Sequence, residues 1–96
     1  MKTEYQNFII MKLRKLREEF GYSQKDIAMI LGISPGQLGN IESSKAANKY
    51  TLSQIYTLCT FFRTPIEQLF IEDEDFYLGI DIINLLISKI IKYGEK

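Results

Sequence analysis

A chain of 96 residues is long enough for one hydrophobic core and too short for two. Its 46% hydrophobic and 25% charged residues match an ordered globular domain and exclude a disordered linker. No histidine and a single cysteine, Cys59, exclude intramolecular disulfides, His-containing zinc sites and His-based triads. The formal net charge is zero but unevenly spread. Residues 1–50 hold eight Lys/Arg against five Asp/Glu, net +3, and residues 51–96 hold four against seven, net −3. That asymmetry permits a phosphate-facing surface without requiring one.

Helix signals recur along the chain and strand signals do not, so the expected fold class is all-α. The opening Met1-Lys2-Thr3-Glu4 carries an acid and the apolar cluster Phe8-Ile9-Ile10-Met11 is short. No secretory signal is therefore expected, and the cytoplasm is the expected location. A first helix is expected over about Glu4–Phe20, with Ile9, Leu13, Leu16 and Phe20 on one stripe. Helices two and three are expected over about Gln24–Leu31 and Pro35–Ser43. A fourth, about Leu52–Phe62, is expected to bury Leu52, Ile55, Cys59 and Phe62, and a short fifth spans about Pro65–Phe70. Cys59 reads as a small buried hydrophobe, with a redox switch or an intermolecular link as alternatives. The acidic run Glu72-Asp73-Glu74-Asp75 reads as a solvated helix start, followed by a sixth helix over about Phe76–Tyr93. The uncharged run Ile82–Ser88 inside it is far below the ~20 residues of a membrane span, so no membrane contact is expected.

Five segments open with a Ser or Thr followed three residues later by a side chain able to bond back. They are Thr3/Gln6, Ser23/Asp26, Ser34/Gln37, Thr51/Gln54 and Thr64/Glu67. Pro35 and Pro65 are expected at first helical positions, and Gly21, Gly32 and Gly94 where helices stop.

Helices two and three are joined by only Gly32-Ile33-Ser34, which forces a sharp angle. Ala28 is small where the helices must approach, and Ile27, Leu31, Ile33, Leu38 and Ile41 supply a wedge of core. Gln24, Lys25, Asp26, Pro35, Gly36, Gln37, Gly39 and Asn40 are left to face outward. That combination meets the requirement of a helix-turn-helix. The run Tyr22-Ser23-Gln24-Lys25-Asp26-Ile27-Ala28-Met29-Ile30-Leu31-Gly32-Ile33-Ser34, followed by Leu38, Ile41-Glu42 and Lys45, resembles the Cro and phage-repressor-like helix-turn-helix family, the xenobiotic response element type. The likeness continues through Thr51-Leu52-Ser53-Gln54-Ile55 and Thr64-Pro65-Ile66-Glu67-Gln68-Leu69-Phe70, and covers about residues 7–71.

The resemblance implies a five-helix DNA-binding domain over residues 1–71, usually dimeric on palindromic operators. Residues 72–96 then form an acidic linker and an additional C-terminal helix. The resemblance places Gln24 on the DNA backbone, where a helix N-terminus suits phosphate, and Ser23 beside it is a further candidate DNA-binding residue. It makes Arg17 and Glu42 a buried ion pair tying helix one to helix three. Lys45 and Lys49 read as phosphate contacts or as plain solvated loop residues.

The chain departs from the family at the start of helix three, where bases are usually read. Pro35 and Gly36 offer no side-chain donor or acceptor. Gln37 and Asn40 remain, either able to pair bidentately with adenine, although the capping box competes for Gln37. Ser34 and Ser43 can contact phosphate or base. Gly36 and Gly39 imply either close backbone approach to DNA or close packing within the protein, and specificity is expected to lean on DNA shape.

In the last helix Phe76, Ile80, Ile83, Ile87 and Ile90 follow a coiled-coil-like 4-3-4-3 spacing. Ile82, Leu86, Ile91 and Tyr93 widen that stripe, and Asp81, Asn84, Ser88, Lys92 and Glu95 form a polar edge. A homodimer built on this seam is expected, against the alternative of a helix folded back on its own domain. The expected function is sequence-specific binding of double-stranded DNA by a regulator, a repressor first of all. The alternative is a protein-interaction module that keeps the fold and binds a protein partner. No nucleophile–base pair, metal-ligand cluster or phosphate-cradling loop accompanies the carboxylates, so neither enzyme activity nor a cofactor is expected.

Overall fold

The computed structural model describes residues 1–77 and 81–95, and every regular element among them is an α-helix. Five helices, α1 (Glu4–Glu19), α2 (Gln24–Leu31), α3 (Pro35–Glu42), α4 (Leu52–Phe61) and α5 (Ile66–Phe70), are followed by α6 (Asp73–Tyr77) and α7 (Ile82–Gly94). None is long and apolar enough to cross a membrane.

Local chemistry sets most of these boundaries. Four capping boxes close reciprocally, at Thr3/Gln6, Ser23/Asp26, Ser34/Gln37 and Thr51/Gln54. Each satisfies two N–H groups at a helix start that have no partner within the helix. Gly32 stops α2 in the left-handed conformation at φ 70°, where a Cβ would be strained. The fifth box does not form. Arg63 turns left-handed at φ 53° after α4, and the Thr64 N–H closes back on the Cys59 carbonyl at 2.9 Å. The Thr64 hydroxyl then donates to the Phe62 carbonyl, so α5 starts at Ile66 with Pro65 as an uncapped N-cap and not as its first residue. Gly94 is likewise no stop signal: it is the last residue of α7, and Glu95 is the C-cap.

The core takes Ile9, Ile10 and Leu13 from α1, Ile27 and Ala28 from α2, and Leu38 and Ile41 from α3. Ile55, Leu58 and Cys59 come from α4, and Leu69 and Phe70 from α5. On α4 the buried stripe is Ile55, Leu58, Cys59 and Phe62, an i, i+3, i+4, i+7 series. Leu52 was expected in it but is 44% exposed, because it is the first residue of the helix and projects one turn beyond that series. Phe20 is also exposed; it is the C-cap of α1 and stacks on Phe62 with centroids 5.4 Å apart. Cys59 is buried, and desolvation pushes its thiol up from the ordinary range.

The C-terminal segment differs most from the single helix expected over 76–93. The acidic run does start a helix, with Asp73, Glu74 and Asp75 in the first turn of α6. Asp81, expected on a polar edge, instead caps α7: its carboxylate accepts the N–H groups of Ile83 and Asn84 at 3.1 and 3.2 Å. Asp prefers that role to a helix interior. One face of α7 closes the core, with Leu86 and Ile90 packed against it and Tyr93 only 1% exposed. The Tyr93 carbonyl accepts the Gln6 side-chain amide at 2.7 Å, and its hydroxyl donates to the Tyr50 carbonyl at 2.9 Å. The expected 4-3-4-3 seam is therefore split. Phe76 lies on α6, Ile80 lies outside the described residues, and Ile90 faces the core. What remains outward is a 4-4 stripe of Ile83, Ile87 and Ile91, exposed by 71%, 51% and 59%.

Candidate nucleic-acid interface

Helix α2 packs closely against α3. Ala28 is buried at the approach, and the Ile33 N–H bonds to the Ala28 carbonyl at 3.0 Å, so the three-residue link is fixed from within. Behind the pair sits the expected ion pair, in bidentate form. Arg17 donates from Nε to Glu42 Oε2 at 2.8 Å and from its Nη2 nitrogen to Oε1 at 2.9 Å. Its other terminal nitrogen holds the Tyr22 carbonyl at 2.9 Å. The hydrogen bond to Glu42 raises the Arg17 pKa further above its ordinary value.

Gln24 joins this network, donating from Nε2 to Glu42 Oε1 at 2.9 Å. Glu42 therefore ties together α1, the start of α2 and the end of α3. One role for Gln24 is thus internal, and the phosphate-binding capacity at the start of α2 rests on its backbone. The helix supplies no acceptor for the N–H groups of Gln24 and Lys25. Beside them, Ser23 and Asp26 bond to each other, and those bonds hold the Asp26 carboxyl below the usual carboxylate range.

A second clamp was not foreseen. Lys2 is 6% exposed, and its ammonium donates to the carbonyls of Ile41 at 2.6 Å and Asn40 at 3.4 Å, at the C-terminal end of α3. A cation there offsets the negative end of the helix dipole, while burial lowers the Lys2 pKa. Only general cation preference at helix ends could have hinted at it, since 39 residues separate Lys2 from Ile41.

The outward face of α3 carries Pro35, Gly36, Gln37 and Asn40, all exposed. Gln37 is engaged as the cap: its Oε1 accepts the Ser34 N–H at 2.8 Å and its N–H donates to Ser34 Oγ at 3.0 Å. This leaves the Gln37 amide nitrogen as a donor only, so bidentate reading of adenine by Gln37 requires the cap to open. Asn40 carries no such engagement, because its contact with Lys2 is through the backbone carbonyl. Ser43 is the C-cap of α3, and its hydroxyl accepts the Lys45 N–H at 3.3 Å. Lys45 is exposed, whereas Lys49 lies half-buried with its ammonium 5.7 Å from the Tyr93 ring centre. Gln37 and Lys49 line one cleft with Asn48, which the sequence did not single out, and Gln54, which it marked only as a helix cap.

Neither α3 glycine is demanded by the protein's own packing. A Cβ at Gly36 would meet nothing nearer than Ser34 Oγ at 3.9 Å, and one at Gly39 nothing nearer than Gln24 Oε1 at 3.7 Å. Those are ordinary contacts, and the close-packing alternative falls.

Residues 10–72 match a family model described as a helix-turn-helix domain, a span covering most of α1 and all of α2–α5. No curated protein and no solved structure matches the chain.

Proposed function

The chain belongs to the helix-turn-helix domain family, and from that membership we propose a cytoplasmic transcriptional regulator, acting as a repressor. It binds double-stranded DNA as a homodimer, with α3 in the major groove and the apolar face of α7 supplying the subunit contact. The observation that carries this reading is the outer face of α3. It pairs an unengaged Asn40 with two glycines that the fold itself does not need, on a helix locked from behind by Glu42 and Lys2. A rigid helix with a bare backbone can approach a groove closely, and Asn40 supplies the bidentate match to adenine. Lys45, Lys49 and the N–H groups at the start of α2 hold phosphates and set register.

Selection from a random duplex library at near-physiological salt tests this. The wild type is expected to enrich a two-fold symmetric motif, and Asn40→Ala to lose about 1–3 kcal/mol of discrimination at one base pair per half-site. Lys45→Ala is expected to weaken all sequences alike and to reduce the salt slope by about 1. No enrichment by the wild type overturns the reading in favour of a protein-interaction module. The internal engagement of Gln24 and Gln37 favours that second reading, since it thins the base-reading surface.

The glycines give an independent check. Gly36→Ala and Gly39→Ala are each expected to raise stability in urea unfolding by up to about 1 kcal/mol and at the same time to lower DNA affinity. Unchanged affinity in both would remove close backbone approach from the mechanism.

A further inference from the structure

We propose that the second copy docks on α7 antiparallel, with Ile87 at the two-fold axis, Ile83 against Ile91 of the other copy, and Asp81 beside its Lys92. This inference rests on the homodimer reading and specifies its geometry.

The exposed surface of α7 consists of two parallel rows. One is apolar, Ile83, Ile87 and Ile91 at 4-4 spacing; the other is polar, Asp81, Asn84, Ser88 and Lys92 at 3-4-4 spacing, ending at the exposed C-cap Glu95. The apolar row reverses onto itself about Ile87, and the Asn84/Ser88 and Asp81/Lys92 pairs reverse about points within one residue of it. Turning the helix end for end about Ile87 sets isoleucine on isoleucine throughout the first row. In the second row it sets Asn84 near Ser88 and Asp81 nearest Lys92, with Glu95 beyond that pair. A two-fold contact requires this kind of self-complementarity, in which residue i meets j and j meets i.

The parallel arrangement fails on charge. It would put the polar rows on opposite flanks, with no pairing of Asp81 and Lys92, and would align the two helix dipoles side by side. In the antiparallel pair each helix start, already carrying the Asp81 cap, lies beside the C-terminal end of its neighbour, the negative end of that helix dipole, where Lys92 sits. The Lys92 ammonium lies over the Tyr5 ring, 4.6 Å from its centre, on the α1 side of the row, and Lys92 stays exposed. The opposite edge of the apolar row, Leu86 and Ile90, is occupied by the protein's own core, which leaves one direction of approach.

Cysteine cross-linking of the full chain in a Cys59→Ala background tests the register. Ile87→Cys is expected to form a covalent dimer under mild oxidation. Ile83→Cys alone is expected to stay uncrosslinked, since eight residues separate Ile83 from Ile91 and displace two copies of position 83 by roughly 12 Å along the axis, beyond the reach of a disulfide. A mixture of Ile83→Cys and Ile91→Cys chains is expected to cross-link. Lys92→Glu should weaken the dimer about two- to fivefold, and adding Asp81→Asn, which keeps a capping side chain, should restore it. A dimer by light scattering that cross-links through 83 with 83 overturns the antiparallel register and leaves the dimer standing. A monomer at high micromolar concentration, with helical content intact, overturns both.

Discussion

Glu42→Ala is expected to lower stability by about 3–5 kcal/mol, the penalty for stranding one partner of a buried ion pair. The Arg17 guanidinium would keep its charge, since arginine does not deprotonate, and would lose the carboxylate that accepts its two hydrogen bonds. The side chains of Arg17 and Glu42 are 11% and 2% exposed, so water does not readily replace the lost partner. Gln24 would lose its acceptor in the same step. For a domain of this size the loss corresponds to a fall in melting temperature of roughly 15–30 °C, read by circular dichroism. The double replacement Arg17→Met with Glu42→Leu separates the cause. Removing both charges is expected to recover most of the loss, because burial of the ions costs nearly as much as their attraction returns. A loss below about 1 kcal/mol in Glu42→Ala would put the pair in the class of exposed surface bridges. The recovered double variant is nonetheless expected to bind DNA less well, because the fork that fixes the angle of α3 against α1 is gone.

What was legible in the sequence is what depends on near neighbours. Ser34 and Gln37 are three residues apart, so their box is decided locally, as are the stop at Gly32 and the short link that fixes the α2–α3 angle. Thr64 and Glu67 have the same spacing and fail because Arg63 adopts a left-handed turn that its residue type does not announce. Apolar periodicity on α4 identified a buried face but could not say where the core ends, so Leu52 was placed inside it. The commitments that change the functional site are long-range. Gln24 looks free beside its neighbours and is drawn inward by Glu42, 18 residues on. Lys2 reads as an ordinary surface residue and is buried under the end of α3. In the last helix the 4-3-4-3 count treated the isoleucines as one seam, whereas α7 starts from its own N-cap at Asp81 and buries Tyr93, with Ile90 packed against the core.

Tyr93 sets the second large effect. Its ring is wholly buried edge-on to Phe70, with centroids 6.1 Å apart, at the point where α1, α5 and α7 meet. Tyr93→Ala is expected to destabilise by about 3–5 kcal/mol, the range for deleting a large aromatic from a core. Tyr93→Phe keeps the ring and deletes one bond, the hydroxyl donated to the Tyr50 carbonyl. Burial pushes the Tyr93 phenol well up, so it is a donor at every pH at which the protein is handled. Leaving that carbonyl unpaired is expected to cost about 1–3 kcal/mol. Tyr50 closes the loop that carries Lys45 and Lys49, and Lys49 lies over the Tyr93 ring. If Lys45 and Lys49 hold phosphates as proposed, Tyr93→Phe should therefore weaken DNA binding beyond what its stability loss explains and flatten the salt dependence. The family match ends at Glu72, but the core does not, because Tyr93 of α7 packs on Phe70 within it and its carbonyl accepts the Gln6 side-chain amide from α1. A 1–72 fragment is accordingly expected to melt far below the full chain. A fragment of equal stability would show that α7 rests on a finished domain, and the proposed link from a subunit contact on α7 through Tyr93 to the loop of Lys45 and Lys49 would be lost with it.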